Sequence, residues 1–332
     1  MRYTYLDKPL KVFGIPNFEE RKVLQRLPEE VLQQVPTLAF LGKRPMGARL
    51  CFRTDAPSFT VRMELETLTV DVGMSIYACQ SANVFVGERN NAHFLGLVSP
   101  KNYTELTCQA TFTKGEGLED VTIFLPRNEI LKNIEIDLPD GAKVEAPTPY
   151  TYEKPILFYG SSITEGGCCC NVSNGYNAIL SRRLGFDYYN FGFSGSARGE
   201  LPIADYIASL DISVFVLDYD YNAPTVEHLK NTHYPFYKRI REQKSDLPIL
   251  MMTRPHARYT EEEKAHRAVI RATYERALQE GDRNVYFLDG ETFFAGEDAE
   301  LCLVDGIHPN DLGFYRMALA IEPTLKAILK KL

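Results

Sequence analysis

The hydrophobic pattern changes its period about halfway along the 332-residue chain. Before residue 146 the apolar residues fall in short alternating runs, as in Phe59-Thr60-Val61-Arg62-Met63-Glu64-Leu65. Successive side chains of a strand point to opposite faces, so this period predicts strands with one buried face. Such strands are predicted over 47–54, 58–65, 83–86, 104–113, 121–125 and 131–138. Turn-forming clusters separate them: Asp55-Ala56-Pro57, Gly87-Glu88-Arg89-Asn90-Asn91, Lys114-Gly115-Glu116-Gly117 and Pro139-Asp140-Gly141. Strands at this spacing predict an antiparallel β-sandwich of the jelly-roll kind, preceded by a short helix near Pro28–Gln34.

Between Ala146 and Pro155 stand Pro147, Pro149 and Pro155. Proline removes a ladder donor and pushes its predecessor to extended geometry, so 147–155 reads as a linker between domains at 1–146 and 156–332. Beyond it, continuous apolar strands at 156–159, 188–191, 214–219, 249–252 and 285–288 alternate with amphipathic stretches. Helices are expected over 175–184, 202–210, 225–244, 260–280 and 311–330. That alternation predicts a parallel sheet covered on both faces, a flavodoxin-like three-layer α/β/α domain. Ligands of such sheets sit beyond the carboxyl ends of the strands, and Ser162, Gly195 and Asn222 each follow a different strand end. The sandwich is expected to pack against this domain, because a short proline-rich linker has little reach.

Composition narrows the function. A net charge of −7 with no Lys/Arg run disfavours a nucleic-acid partner. No apolar stretch reaches the length of a membrane span and no signal segment is visible, so a cytoplasmic protein is expected, with no membrane partner. Seven cysteines do not make a disulfide framework in a chain this long. The run Cys168-Cys169-Cys170 invites a metal reading, but adjacent thiols diverge whereas zinc sites space them by two to four residues, so no metal is expected.

The chemistry concentrates in two segments. Ile156-Leu157-Phe158-Tyr159 runs into Gly160-Ser161-Ser162-Ile163-Thr164, a strand followed by a small-residue turn that presents a serine hydroxyl. Asp305-Gly306-Ile307-His308-Pro309 places an acid three residues before a histidine, suited to take the serine proton and to hold the ring's tautomer. The turn is not G-x-S-x-G, so the α/β-hydrolase elbow is not matched. Among the other histidines, His266 lies in a charged helical run and is expected on the surface, while His233 and His256 stand near element ends where they could line a pocket. Asp218 and Asp220 fall in one predicted strand, on one face and about 7 Å apart, and must be paired or face a cleft. A paired-carboxylate centre there would leave Ser162 and His308 idle.

These segments resemble the SGNH (GDSL-type) hydrolases, serine esterases whose signature lies in separated blocks. Gly160-Ser161-Ser162 is similar to the first block, with Ser161 where the family usually has aspartate. Asn190-Phe191-Gly192-Phe193-Ser194-Gly195 is similar to the second. Asp220-Tyr221-Asn222-Ala223 is similar to the third, keeping the asparagine of Gly-x-Asn-Asp but not its flanks. Asp305 to Pro309 matches the last. The resemblance covers about 155–320 and implies Ser162, His308 and Asp305 as a triad, with Ser162, Gly195 and Asn222 as the oxyanion hole. It implies hydrolysis of an oxygen ester without metal or cofactor. A β-sandwich joined to such a domain resembles certain carbohydrate esterases, so acetyl esters of small molecules or oligosaccharides are the expected substrates. A thioesterase on the same triad is the alternative, as is a carbohydrate-binding protein with a decayed site. Homo-oligomerisation is left open by the sequence.

Overall fold

The computed structural model describes residues 1–332, the side chain of Asn90 apart. Its first half contains β1 (Arg2–Thr4), β2 (Lys11–Phe13), α1 (Phe18–Arg21), α2 (Glu29–Gln34), β3 (Arg49–Thr54) and β4 (Ser58–Leu65). There follow α3 (Ile76–Cys79), β5 (Ala82–Val86), β6 (His93–Val98), β7 (Thr107–Thr113), β8 (Glu119–Phe124), β9 (Leu131–Asp137) and β10 (Val144–Glu145). The strands form two antiparallel sheets, ordered β1-β9-β4-β7 and β10-β3-β8-β5-β6, with β2 also paired to β3. Along β4 the inward residues Phe59, Val61, Met63 and Leu65 are buried, and they share one core with Leu50 and Phe52 of β3, Val84 of β5 and Ile123 of β8. The sandwich expected from the alternation is therefore present.

Differences from the expected strands have local causes. Strand β7 starts at Thr107 rather than 104, because the Asn102 side-chain amide oxygen accepts from Thr104 N at 2.8 Å and holds a turn there. Strand β6 was not expected at all: it is a sheet edge with a register shift and Gly96, and its burial does not alternate.

The second half contains β11 (Tyr152–Gly160), α4 (Ser162–Glu165), α5 (Tyr176–Leu184), β12 (Phe186–Gly192), α6 (Leu201–Ser209) and β13 (Val214–Asp218). After these come α7 (Val226–Gln243), β14 (Ile249–Met252), α8 (Glu261–Gln279), β15 (Val285–Leu288) and α9 (Asp311–Leu329). The five strands are parallel in the order β12-β11-β13-β14-β15, the flavodoxin-like arrangement, so the strand order reverses beside β11. Alternation splits their apolar residues between two cores. Leu157, Tyr159, Phe215, Leu217 and Met251 face α6, α7 and α8, while Ile156, Phe158, Val214, Val216 and Met252 face α5 and α9. Among the described residues, no helix is long and apolar enough to cross a membrane.

The halves are joined by more than the chain. Leu27, Val31 and Leu32 belong to the core beneath α6 and α7, and Phe85 and Phe124 belong to the core beneath α5 and α9. Arg49 of β3 is fully buried, pairs with Asp187 of β12 and lies over the Tyr188 ring at 4.2 Å. The proline-rich stretch is pinned as well: Thr148 N donates to Asp120 at 2.8 Å, and the Arg89 guanidinium stacks 3.4 Å from the Tyr150 ring centre. A fragment of residues 150–332 would lack these residues and expose to water the apolar and charged surfaces of the second half that they cover. It is expected to be recovered aggregated or with a sharply lowered Tm, as measured by circular dichroism. Retention of the full chain's Tm would show that the joint contributes nothing to stability.

Candidate active site

Strand β11 ends at Gly160, and the chain turns at once into the single helical turn α4. Ser161 caps that turn, its hydroxyl accepting from Ile163 N at 3.2 Å. Ser162 is the first residue inside, with its hydroxyl turned toward the carboxyl edge of the sheet. The turn is packed so tightly that side chains are excluded from its neighbours. A Cβ on Gly160 would lie 2.1 Å from Thr164 Oγ1, and one on Gly192 would lie 2.1 Å from Glu165 N. Asn177 and Asn190 both donate side-chain hydrogen bonds to Thr164 O, at 2.8 and 3.1 Å. The serine therefore stands on a backbone fixed from three sides.

His308 comes from the loop before α9. Val304 N donates to His308 O at 2.8 Å and Asn310 N to Cys302 O at 2.9 Å, while the Asn310 side chain caps α9. The loop aims His308 Nε2 at Ser162 Oγ, 2.8 Å away. His308 Nδ1 lies 2.8 Å from Asp305 Oδ2, and Asp305 Oδ1 accepts from Ile307 N and His308 N at 3.0 and 2.8 Å. Burial by itself would raise the Asp305 pKa, but the two N–H bonds and the His308 ring outweigh it and hold the carboxyl at about 2. Asp305 is thus an anion at neutral pH and well below it. The relay is open to solvent, with the side chains of His308 and Asp305 23% and 48% exposed.

Gly195 and Asn222 are brought to the same edge. Gly195 lies in the loop after β12 in a left-handed conformation, φ 65°. Asn222 ends a short 3-10 turn after β13, and its Nδ2 donates to Phe193 O at 2.9 Å, tying its own loop to that of Gly195. The Glu165 carboxylate in turn accepts from Ser194 N at 3.2 Å.

The aspartates of β13 do not share one strand face. The strand ends at Asp218, and Asp220 lies in the following 3-10 turn, because Tyr219 leaves extended geometry at φ −109°, ψ 7°. Asp220 pairs with Arg254 at 3.3 Å, whereas Asp218 accepts from Thr164 Oγ1 at 2.9 Å and Tyr176 OH at 3.0 Å. No paired-carboxylate centre forms there. Burial chiefly drives the Asp218 carboxyl upward, with Asp220 adding and the Thr164 and Tyr176 bonds opposing, to about 8. An unfolded aspartate ionises near 3.9, so between about pH 4 and about 8 unfolding releases a proton. This contribution to stability is full below about pH 4 and is lost as pH rises through about 8. Asp218→Asn keeps an acceptor for Thr164 and Tyr176 without ionising. It is expected to raise Tm at pH 8 by a few degrees, worth on the order of 1–3 kcal/mol, and to flatten the pH dependence. Melting curves at pH 5 and pH 8 check this, and an unchanged slope would refute it.

The remaining candidates settle as follows. His266 is buried, not exposed as its charged surroundings suggested, since its Nδ1 meets the Arg254 guanidinium at 2.8 Å. His233 is buried against Thr273 on α8, and burial pushes its pKa down to about 3. His256 pairs with Glu263 at 2.8 Å. The three adjacent thiols diverge: Cys169 is buried with its Sγ near Gly166 O at 2.9 Å, Cys168 is half-buried and Cys170 is exposed. Sequence reasoning missed Thr164, Glu165, Asn177 and Asn190, which brace the serine turn. An acid between a buried strand and a glycine pair was the available signal for Glu165.

Comparison with known proteins agrees over both halves. Residues 153–326 match the profile of the GDSL-like lipase/acylhydrolase family, and residues 3–144 match that of the N-terminus of SGNH-hydrolase-type esterases. A solved structure named as a GDSL-like lipase from Bacteroides ovatus superposes with a TM-score of 0.89 at 24% identity, covering 99% of this chain and 98% of that one. The salicylyl-acyltransferase SsfX3 from a tetracycline biosynthetic pathway superposes with a TM-score of 0.80 at 21% identity, covering 99% and 97%. An acetyl xylan esterase from Butyrivibrio proteoclasticus gives 0.63 at 12% identity, covering 99% and 98%. At these identities the likeness is one of fold. No curated protein matches the chain.

Proposed function

The chain belongs to the GDSL-like lipase/acylhydrolase family and is an esterase, and from that premise we propose that it removes short acyl groups, acetyl foremost, from oxygen esters of carbohydrates. The observation that carries the reading is the continuous relay from Ser162 Oγ through both nitrogens of His308 to Asp305, each step 2.8 Å.

In this reading His308 Nε2 takes the Ser162 proton as the oxygen attacks the acyl carbon. The Nδ1–H donates to the Asp305 carboxylate, which fixes the tautomer and stabilises the imidazolium. The negative oxygen of the tetrahedral intermediate is received by the backbone N–H groups of Ser162 and Gly195 and by the Asn222 amide. One amide hydrogen of Asn222 already holds Phe193 O, and the second is the one assigned to the oxyanion. His308 then protonates the leaving alcohol, and water, deprotonated by the same ring, releases the acid. The chemistry is complete with these side chains and needs no metal or cofactor.

Two observations support an active enzyme over a decayed binder. The relay is intact, and Ser161 caps α4 through its oxygen, the task an aspartate in that place would also perform. A carbohydrate alcohol is supported by the openness of the relay, which a bulky leaving group can reach from solvent, and by the fold shared with the acetyl xylan esterase. The acyltransferase fold likeness favours one second reading, in which an alcohol rather than water takes the acyl group. The test is labelling with a fluorophosphonate, then turnover of p-nitrophenyl esters from acetate to octanoate, acetylated xylo-oligosaccharides and an acetyl thioester. Fastest turnover on acetate and on acetylated sugars is expected. Absence of a covalent adduct would end the proposal, preference for the thioester would make the protein a thioesterase, and acyl transfer to added alcohol in preference to water would favour the second reading.

A further inference from the structure

Directly behind the serine turn lies a buried ionic cluster drawn from both halves of the chain. The Glu165 carboxylate is fully buried and bridges two arginines, Arg26 at 3.3 Å and Arg127 at 3.4 Å, both also buried. Glu165 ends the helical turn that Ser162 begins, and its Oε2 also accepts from Ser194 N, next to Gly195. Arg26 spends its other donors on the carbonyls of Asn190 and Gly192 at 2.9 and 2.6 Å, where β12 enters that same loop, and on Leu41 and Arg44 of the first half. Its guanidinium lies 4.6 Å from the Phe193 ring.

Stability alone does not account for such a cluster. Desolvating three charges costs several kcal/mol per ion, and well-packed apolar residues in their place are often as stable or more so. What apolar residues could not do is set two loops against each other by directional bonds. One carboxylate touches the turn carrying Ser162 and the loop carrying Gly195, the two segments whose backbone N–H groups the mechanism assigns to the oxyanion.

We propose that Glu165, clamped between Arg26 and Arg127, is a positioning residue that fixes the Ser162 turn relative to the Gly195 loop, so that the N-terminal half is part of the catalytic apparatus. The inference rests on the reading of Ser162 as nucleophile. Neither Glu165 nor the arginines touch substrate in it. Their contribution enters through the spacing of the oxyanion donors, which matters only once charge develops on the acyl oxygen.

The experiment uses the full-length chain and the variants Arg127→Met, Arg127→Lys and Glu165→Gln. Each is compared with the parent by circular dichroism, by titration of reactive sites with a fluorophosphonate, and by kcat and KM on p-nitrophenyl acetate per titrated site. Arg127→Met leaves Glu165 paired with Arg26 and is expected to lower kcat per site about 10- to 100-fold with KM within about twofold, the scale of a small misplacement of reacting groups. Arg127→Lys is expected to recover a substantial part of that loss, and Glu165→Gln to lose kcat at least as strongly as Arg127→Met. A purely structural role would reduce the titratable fraction while leaving kcat per site unchanged, and that result would overturn the proposal. Failure of both Arg127→Met and Glu165→Gln to fold would do the same, since the cluster would then be a requirement of the fold. If the parent itself takes no label at Ser162, the functional reading fails first, and that outcome is separate from the others.

Discussion

Replacing Ser162 by alanine is expected to reduce esterase turnover by about 10⁴-fold or more, whereas replacing Ser161 should leave most of it. The two hydroxyls are adjacent in sequence and bonded to different partners. Ser162 Oγ meets His308 Nε2 at 2.8 Å, while Ser161 Oγ is turned back to accept from Ile163 N at 3.2 Å. Ser161→Ala therefore removes a helix cap, worth about 1 kcal/mol, and changes Tm more than kcat. Ser162→Ala removes the proposed nucleophile and is expected to leave the turn intact, because Gly160, Gly192 and the asparagine bonds to Thr164 O do not involve the hydroxyl. Peptide mass spectrometry of the fluorophosphonate adduct decides between them: a label on Ser161, or a Ser162→Ala protein with appreciable turnover, would reverse the assignment.

What the sequence made legible follows from the range over which each signal acts. Strand β4 declares itself because four buried residues alternate within eight, and the five parallel strands because each is a short apolar run between amphipathic helices. The proximity of Asp305 to His308 is legible because it is local, whereas the long reach from His308 to Ser162 is legible only through the resemblance of the separated blocks to a known family. The edge strand β6 carries Gly96 and lacks alternation, so nothing in its residues distinguishes it from a loop. The helical turn α4 is too short to show any period. Glu165 finds Arg26 and Arg127 across 139 and 38 residues, and no spacing rule connects such positions. The charge pattern misled in one place: the run around His266 reads as a solvated face, yet the ring is turned inward to Arg254, whose charge is taken up by Asp220.

Asp305→Asn is the sharpest test of how the histidine is held. The amide would keep an oxygen where Asp305 Oδ1 accepts from Ile307 N and His308 N, so the loop should retain its shape. Its nitrogen would stand where Oδ2 now faces His308 Nδ1 at 2.8 Å, offering a hydrogen where the ring needs an acceptor. Imidazole would then carry its proton on Nε2, pointing it at Ser162 and leaving no lone pair to take the serine proton. The expected result is a fall in kcat of about 10⁴-fold with Tm close to that of the parent. The pH dependence carries a second part of the argument. The Asp305 carboxyl, held at about 2, stays ionised well below neutrality, so the acid limb of the parent's activity is not set by its protonation. The favourable bonds that depress it contribute stability above its unfolded pKa near 4, which is lost as pH falls through about 2. In Asp305→Asn the residual activity should rise with increasing hydroxide, since only a base from solvent can then remove the serine proton. Parental kcat in a folded Asp305→Asn protein would show that the carboxylate serves the loop alone.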